Sequence, residues 1–192
     1  MRIIAGEFKG RRLAAVKGHI RPTSDKVREA IFSILGPAVA EARVLDLFAG
    51  TGALTIEALS RGARDAVLVE EHATALSVLR QNLETLGLNQ RVRVLALPVS
   101  GALRKLDDQG KQFDLIFLDP PYGKGLALKT LAALEASGLL RPDARIVAEH
   151  SHREILPKDV GRLVLTQARR YGDTEVAFYG VRENSQEQEL SG

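Results

Sequence analysis

Cysteine is absent from the 192-residue sequence. Its absence excludes disulfides, thiolate zinc sites, iron–sulfur clusters and cysteine nucleophiles. Long apolar runs are also lacking: none approaches the ~20 residues that a membrane helix needs. The N-terminal Met-Arg-Ile-Ile-Ala-Gly does not have the apolar stretch of a signal peptide. We therefore expect a monomeric cytoplasmic protein that makes no contact with a membrane.

Two further kinds of site are missing from the sequence. His150-Ser151-His152 is a candidate metal pair, but it has no additional well-spaced ligands, and a stable site needs three or four. No metal is therefore expected. The Gly-x-Ser-x-Gly turn of many serine hydrolases does not occur either, which argues against hydrolysis of that type.

Positive charge is concentrated near the N-terminus. Residues 1–28 contain eight Lys/Arg and two acids, a net charge of +6, whereas the remainder has 19 bases and 22 acids, a net charge of −3. Basic side chains that contact phosphates release counterions, so this arm suits a polyanion. A solvated basic strand pair is the alternative. The candidate contacts to nucleic acid are Arg2, Lys9, Arg11, Arg12, Arg21, Lys26 and Arg28.

The N-terminal part of the chain is predicted to form a small extension. Residues 2–13 suit a short hairpin. A helix with Thr23 or Ser24 as its N-cap follows, and Gly36-Pro37 ends it. We place the boundaries at 1–38 for this extension, 39–181 for the main domain and 182–192 for a polar tail whose composition is typical of disorder.

Strands and helices alternate from residue 42 onward. Gly172-Asp173 lies between two alternating segments and is typical of a two-residue hairpin turn. The pattern predicts a doubly wound, mostly parallel α/β sheet that ends in an antiparallel hairpin. The predicted strands cover 44–48, 66–70, 92–95, 113–118, 145–149, 161–171 and 174–181, and the predicted helices cover 53–61, 73–86, 99–107 and 126–136.

A glycine loop, Ala49-Gly50-Thr51-Gly52, joins the first of these strands to its helix. Glycines permit a tight turn and let backbone N–H groups approach a ligand closely. The third glycine of the dinucleotide fingerprint would fall at Thr55, so that motif is not present. Asp46 precedes the loop, where a carboxylate would repel a phosphate but would suit an ammonium group. Glu70 ends the next strand, where it can accept hydrogen bonds from ribose hydroxyls.

These features describe a ligand with a ribose and a positive group but no phosphate, and S-adenosylmethionine fits that description. A plain turn with a surface Glu is the alternative. The residues expected to bind the cofactor are Asp46, Phe48, Ala49, Gly50, Thr51, Gly52 and Glu70.

The tetrapeptide Asp119-Pro120-Pro121-Tyr122 follows the fourth predicted strand and so lies on the same edge of the sheet as the glycine loop. Consecutive prolines stiffen the backbone, so the Asp119 carboxylate and the Pro120 carbonyl become two fixed acceptors for an exocyclic –NH₂ group. Tyr122 offers a flat face on which a base can stack. The four residues are the predicted catalytic site of a methyltransferase that acts on an amino group. A Pro-rich turn that caps a helix is the alternative.

Together these residues resemble the class I methyltransferases of amino groups, and more closely the bacterial RsmD family, which methylates guanine N2 in 16S ribosomal RNA. The resemblance extends over roughly residues 1–180. It rests on the glycine loop, Glu70 and the tetrapeptide, and on Arg2-Ile3-Ile4-Ala5-Gly6, Lys9-Gly10-Arg11-Arg12-Leu13, Arg21-Pro22-Thr23, Ala58-Leu59-Ser60-Arg61-Gly62-Ala63 and Tyr171-Gly172-Asp173-Thr174.

The resemblance implies a Rossmann-like class I methyltransferase fold with a seven-stranded sheet. It implies that Asp46, Gly50, Gly52 and Glu70 bind S-adenosylmethionine and that Asp119 to Tyr122 hold the target guanine, guanine 966. The basic N-terminal segment would bind RNA, and the partner would be 16S rRNA or a small-subunit assembly particle. One departure concerns Ala96-Leu97-Pro98-Val99-Ser100, where related enzymes often have an Asp or Asn that contacts adenine.

Other functions remain open from the sequence. Adenine-N6 DNA methyltransferases and protein-amide methyltransferases use a similar tetrapeptide, more often with Asn first. A non-catalytic RNA-binding protein on a methyltransferase scaffold is a third possibility, against which the intact motifs argue.

Overall fold

The fold is organised around one mixed sheet. The computed structural model describes residues 1–16 and 24–182. Within them the sheet has eight strands: β1 (Arg43–Asp46), β2 (Asp65–Val69), β3 (Val92–Leu95), β4 (Phe113–Leu118), β5 (Leu140–Ser151), β6 (Asp159–Val160), β7 (Leu163–Tyr171) and β8 (Thr174–Val181).

Five helices accompany these strands in the same part of the chain. They are α1 (Asp25–Leu35), α2 (Ala53–Ser60), α3 (Ala73–Leu86), α4 (Val99–Asp108) and α5 (Leu126–Glu135). Ser24 is the N-cap of α1, and its side chain accepts a hydrogen bond from the Val27 N–H. A 3-10 turn, Gly36–Val39, follows α1, because Pro37 fits the first turn of a helix but cannot continue the one before it.

The strand order is β3-β2-β1-β4-β5-β8-β7-β6. The five strands β3, β2, β1, β4 and β5 pair in parallel, whereas β5–β8, β8–β7 and β7–β6 pair antiparallel. The predicted doubly wound sheet with a C-terminal hairpin is therefore confirmed. The strand count differs by one, because the two-residue strand β6 pairs with the start of β7.

Two apolar clusters pack against the two faces of the sheet. Neighbouring residues of β4 belong to different clusters, Phe117 to one and Ile116 to the other, because successive side chains of a strand point to opposite faces. The cluster around Phe117 also contains Ile3, Leu13 and Phe32. The N-terminal extension therefore shares the core of the main sheet and has no separate core of its own.

Residues 1–16 form a turn that is fastened to α2. The predicted hairpin is reduced to a single antiparallel bridge between Arg2 and Arg12. The Glu57 carboxylate, which is fully buried on α2, accepts hydrogen bonds from the N–H groups of Ile4 (2.8 Å) and Ala5 (3.0 Å). Hydrogen bonds from these main-chain N–H groups to the buried Glu57 carboxylate thus hold residues 1–16 to α2.

Arg28 was expected to contact nucleic acid, but its side chain is buried. Its side chain is 0% exposed, and its guanidinium donates to the Arg2 carbonyl (2.6 Å) and the Asp25 carboxylate (2.8 Å) and lies 3.6 Å from Glu57. A buried charge needs such partners because its desolvation is costly. Arg28 therefore joins the N-terminal segment to α1 and α2, and the expectation of an RNA contact does not hold for it in this structure.

Some expectations concern parts of the chain that the structure does not describe. Arg21 and Thr23 fall in the undescribed stretch 17–23, and the polar tail beyond Arg182 is also outside the described residues. Within the described part of the chain, no helix is long and apolar enough to cross a membrane.

Candidate active site

The glycine loop connects β1 to α2 at the carboxyl edge of the sheet. Gly50 and Gly52 have φ angles of +54° and +82°, a region that favours glycine. A Cβ atom on Gly52 would lie 2.5 Å from the Leu79 side chain, so α3 packs against the loop where only glycine fits. A Cβ atom on Gly50 would meet nothing within 4 Å, and this part of the loop borders open space.

Glu70 follows β2 and holds the loop in place. Its carboxylate accepts hydrogen bonds from the N–H of Gly50 and the N–H of His72, both at 2.8 Å. Glu70 is largely buried, but it lines the cleft beside the loop. The two main-chain donors fix the orientation of the carboxylate, and a carboxylate has about four acceptor positions, so acceptor capacity is left for a ligand hydroxyl.

Asp46 ends β1 under the same loop and is only 2% exposed. One carboxylate oxygen accepts a hydrogen bond from the Thr55 hydroxyl at 2.8 Å, while Oδ1 is buried without a partner among the described residues. Burial raises the pKa of Asp46 from 3.8 to about 7, and the nearby Glu70 charge adds to the rise, although the Thr55 and Phe48 hydrogen bonds oppose it. A buried acceptor of this kind suits a cationic donor.

The tetrapeptide Asp119-Pro120-Pro121-Tyr122 leaves the end of β4, which lies next to β1 in the sheet. Tyr122 is 40% exposed, and its hydroxyl lies 2.8 Å from the Thr174 hydroxyl and donates to the Glu149 carboxylate at 3.2 Å. Burial, followed by the nearby negative charges, raises the pKa of Tyr122 to about 12. The phenol is therefore neutral at ordinary pH and is held at one end, with part of the side chain left open.

Glu149 and Thr174 were not predicted as site residues. Glu149 lies near the carboxyl end of β5, and Thr174 begins β8, directly after the hairpin turn. The rule that identified Glu70, a polar residue at the carboxyl end of a parallel strand, also applies to Glu149. Thr174 gives no such signal, because its proximity to Tyr122 depends on how the hairpin folds back over the sheet edge.

A single cleft of about 990 Å³ brings these groups together. It is lined by all the residues expected to bind the cofactor except Gly52, by all four of the tetrapeptide, and by Glu149 and Thr174. Gly52 lies behind the loop and packs against α3. The stretch after β3, where related enzymes often have an Asp or Asn that contacts adenine, contributes Leu97 and Val99 to the cleft. These two side chains form an apolar wall.

Asn82, a buried residue of α3, connects the N-terminal segment to the glycine loop of the cleft. The Asn82 amide nitrogen donates to the carbonyls of Thr51 (3.0 Å) and Ala14 (3.2 Å), and its oxygen accepts from the Ala14 N–H (2.8 Å). One side chain therefore binds both the glycine loop and the N-terminal segment. Ala15 and Val16, which follow, also line the cleft.

The exposed N-terminal cations differ in their distance from the cleft. Lys26 lines it, whereas Arg11 donates to the carbonyl of Thr85 (2.7 Å), in the last turn of α3. Residue His72, just before α3, lines the cleft, and the 14 residues of α3 span about 21 Å. Arg11 is therefore near the opposite edge of the sheet. Arg2, Lys9 and Arg12 are exposed on the same segment.

Comparison with known proteins identifies the family. The family model described as "Conserved hypothetical protein 95", the RsmD family, matches residues 1–180. The chain belongs to the RsmD family. It is 43% identical over 183 residues to the YlbH protein of Bacillus subtilis, with 95% of this chain and 100% of that protein covered.

Two comparisons with Escherichia coli, one of sequence and one of structure, extend this result. The chain is 39% identical over 158 residues to "Ribosomal RNA small subunit methyltransferase D", covering 82% of this chain and 78% of that protein. The solved structure of the yhhF protein superimposes with a TM-score of 0.84 at 34% identity, covering 96% of this chain and 99% of that chain. The class I methyltransferase fold expected from the sequence is confirmed.

RsmD proteins are S-adenosylmethionine-dependent methyltransferases, so the expected cofactor is confirmed. The residues of the cleft fit this group. The partnerless Oδ1 of Asp46 matches a cationic amine, and the oriented Glu70 carboxylate matches ribose hydroxyls. The apolar wall of Leu97 and Val99 suits an adenine ring.

Proposed function

We propose that this protein methylates the exocyclic N2 of a guanine in 16S ribosomal RNA. The observation that carries the proposal is the shared cleft, where Asp119-Pro120-Pro121-Tyr122 lies beside the glycine loop, Asp46 and Glu70. The similarity to proteins named for methylation of small-subunit rRNA supports the choice of substrate. Either free 16S rRNA or a small-subunit assembly particle can carry that guanine.

The tetrapeptide explains why an amino group is the acceptor. The lone pair of an exocyclic nitrogen is delocalised into the base, so it must be turned out of conjugation before it can react. In our proposal the Asp119 carboxylate and the Pro120 carbonyl each accept one N–H of the guanine amino group. They also stabilise the positive charge that develops on nitrogen. One N–H proton then leaves, and Asp119 need not act as a strong base.

Tyr122 is proposed to stack on the target base. Its hydroxyl is held by Thr174 and Glu149, so the angle of the ring is set before RNA binds. Base–aromatic stacking contributes about 1–3 kcal/mol in single-stranded complexes. A paired guanine would have to be flipped out of its helix to reach this position.

S-Adenosylmethionine, when bound, supplies an electrophilic methyl group on a positively charged sulfur. Asp46, Phe48, Ala49, Gly50, Thr51 and Glu70, which line the cleft, are proposed to hold it, and Gly52 is proposed to shape the loop from behind. We further propose that exposed Arg2, Lys9, Arg11 and Arg12 contact RNA at a distance from the target nucleotide, because none of these four cations lines the cleft.

Substitution of Asp119 tests the catalytic role. We expect Asp119→Ala to retain the affinity for S-adenosylmethionine but to lose at least about 100-fold in kcat, the usual loss when one oriented acceptor or donor of the transition state is removed. Asp119→Asn keeps a carbonyl oxygen at the same place and should recover part of the rate. Full activity of Asp119→Ala would exclude the proposed role, and calorimetry with the cofactor shows whether the variant is folded.

The substrate is tested by transfer of a tritiated methyl group to 16S rRNA from a strain that lacks this modification. The RNA is supplied both naked and within small-subunit particles, and the product nucleosides are identified after digestion. N2-methylguanosine is the expected product. Methylation of adenosine, or none in either substrate, would contradict the proposal.

A further inference from the structure

The cleft has an acidic floor and a rim on which cations outnumber acids. Five carboxylates line it: those of Asp46, Glu70, Asp119 and Glu149 form the floor, and that of Glu71 is exposed at the rim. Three cations also line it, and all three are exposed: Lys26, Lys124 and Arg170. The acids suit the amino groups of a cofactor and a base. The cations have no such role and require a different explanation.

The three rim cations come from three separate parts of the fold. Lys26 is in the first turn of α1, Lys124 is in the loop after the tetrapeptide, and Arg170 is near the end of β7. The structure records no ion pair of Lys26 or Lys124 with any described residue. Arg170 donates from Nε to the Gly172 carbonyl at 2.9 Å, which keeps its guanidinium at the hairpin turn beside the cleft.

Lys124 lies between two glycines that have left-handed backbone conformations, Gly123 with φ +78° and Gly125 with φ +62°. A Cβ atom on either glycine would meet nothing within 4 Å, so both glycines border open space. Glycines allow the backbone to follow this path without strain. The turn places an exposed ammonium two residues after Tyr122, the residue proposed to stack on the base.

We propose that Lys26, Lys124 and Arg170 bind the RNA phosphates on either side of the flipped-out target nucleotide. The inference rests on the proposed function, because it takes RNA as the polyanion. A base that enters an acidic cleft brings its phosphates to the mouth, where they would be repelled by the floor. Exposed cations on both sides of the opening offset that repulsion and hold the nucleotide in register.

The rim set shares only Lys26 with the N-terminal cations that are candidate contacts to nucleic acid. Among those N-terminal cations, Arg11 lies near the far edge of the sheet. Arg170 and Lys124 are remote in sequence from the basic N-terminal segment. The proposal therefore places the closest RNA contacts on α1, the Tyr122–Gly125 turn and the β7–β8 hairpin.

The test compares two triple variants with equal loss of charge. The rim variant is Lys26→Ala, Lys124→Ala and Arg170→Ala. The control is Arg104→Ala, Lys105→Ala and Lys111→Ala, which removes exposed cations in the later turns of α4 and just beyond it, none of which lines the cleft. Binding of in vitro transcribed 16S rRNA is measured from 50 to 300 mM salt, together with methyl transfer.

Each lost phosphate contact lowers the slope of log affinity against log salt concentration by about 0.7–0.9. We expect the rim variant to lose about two to three units of slope and to raise the KM for RNA more than tenfold, while its affinity for S-adenosylmethionine stays unchanged. The control should lose less than one unit. Equal slopes for the two triple variants would overturn the proposal.

The result is independent of the proposed reaction. If the unaltered protein binds 16S rRNA but transfers no methyl group to it, the proposed function fails, and the comparison of slopes still decides the role of the rim. If methyl transfer is normal but the rim variant binds and reacts like the control, only the rim proposal fails.

Discussion

We expect the Asp46 carboxyl group to make the binding of the cofactor depend on pH. Its pKa in the folded protein is about 7, compared with 3.8 for an unperturbed carboxyl, chiefly because of burial. An acid whose pKa rises on folding destabilises the folded state when it is ionised. That cost is fully present above pH 7 and disappears as the pH falls towards 3.8. The site therefore keeps a carboxylate that is unfavourable for the free protein and is suited to a cation.

We predict that the affinity for S-adenosylmethionine falls by up to about tenfold per pH unit below pH 6.5, because the ammonium group of the ligand needs the ionised Asp46. The amino group of the ligand stays protonated over this range. Calorimetry between pH 5 and 7 measures both affinity and proton release. Asp46→Asn should bind weakly with much less dependence on pH. The same pH dependence in that variant would contradict the assignment.

For single residues, the sequence predicts which side chains lie at the carboxyl edge of the sheet, but not which distant charges pair. The shared position of Asp46, Glu70 and Asp119 at one edge of the sheet could be predicted, because each ends or directly follows a buried parallel strand and the carboxyl ends of such strands share one edge. The burial of Arg28 could not be predicted, because its charge in the sequence says nothing about its buried partner Glu57, 29 residues further along. Pairing between distant charges is a property of the packed structure.

At the scale of elements, local periodicity predicted most boundaries. The helix at 73–86 and the strands at 92–95 and 113–118 match the structure. The strand β5 begins at Leu140, five residues before its predicted start, because Arg141-Pro142-Asp143 has the composition of a loop. Its pairing with β4 contains a register shift there. The strand β6 has two residues, too few for an alternating pattern.

The contact between α1 and α2 depends on Arg28. We expect Arg28→Met to reduce the free energy of unfolding by about 3–5 kcal/mol, the usual effect of removing one partner of a buried ion pair. The reference variant is Arg64→Met, whose pair with Asp65 is exposed and should contribute less than about 1 kcal/mol. Urea denaturation measures both. Similar losses in the two variants would show that the Arg28–Glu57 pair has no special importance.

Arg28→Met also separates stability from RNA binding. Because the Arg28 side chain is buried, the salt dependence of RNA binding should be the same in the variant as in the unaltered protein, when measured at a temperature where both are folded. A lower slope would mean that Arg28 reaches a phosphate after all.

At the scale of the whole molecule, the first 16 residues are part of the core. Ile3 and Leu13 are buried in the cluster that includes Phe117, and two main-chain N–H groups bind Glu57. We expect deletion of residues 1–16 to lower the free energy of unfolding by more than about 5 kcal/mol. The loss comes from two buried side chains and from a buried carboxylate that loses two of its donors and keeps Arg61. Domains of this size are stable by about 5–15 kcal/mol.

The deletion is tested by the cooperativity and midpoint of urea unfolding. The milder substitution Ile3→Ala should lower the free energy of unfolding by about 2–5 kcal/mol, and urea unfolding should remain cooperative. An unchanged midpoint in the deletion variant would show that the extension is an appendage, as the sequence-based boundary at residue 38 implies.

The bridge made by Asn82 has a consequence for the order of folding. The Asn82 side chain binds Ala14 across 68 positions of sequence and Thr51 across 31, and closing loops of this length is slow compared with forming helices. During synthesis residues 1–16 can therefore contact α2 first, but their docking is complete only after α3 has emerged. The glycine loop receives its Asn82 hydrogen bond at the same stage. A nascent chain should thus acquire its affinity for the methyl donor late, as a single event that also secures its N-terminus.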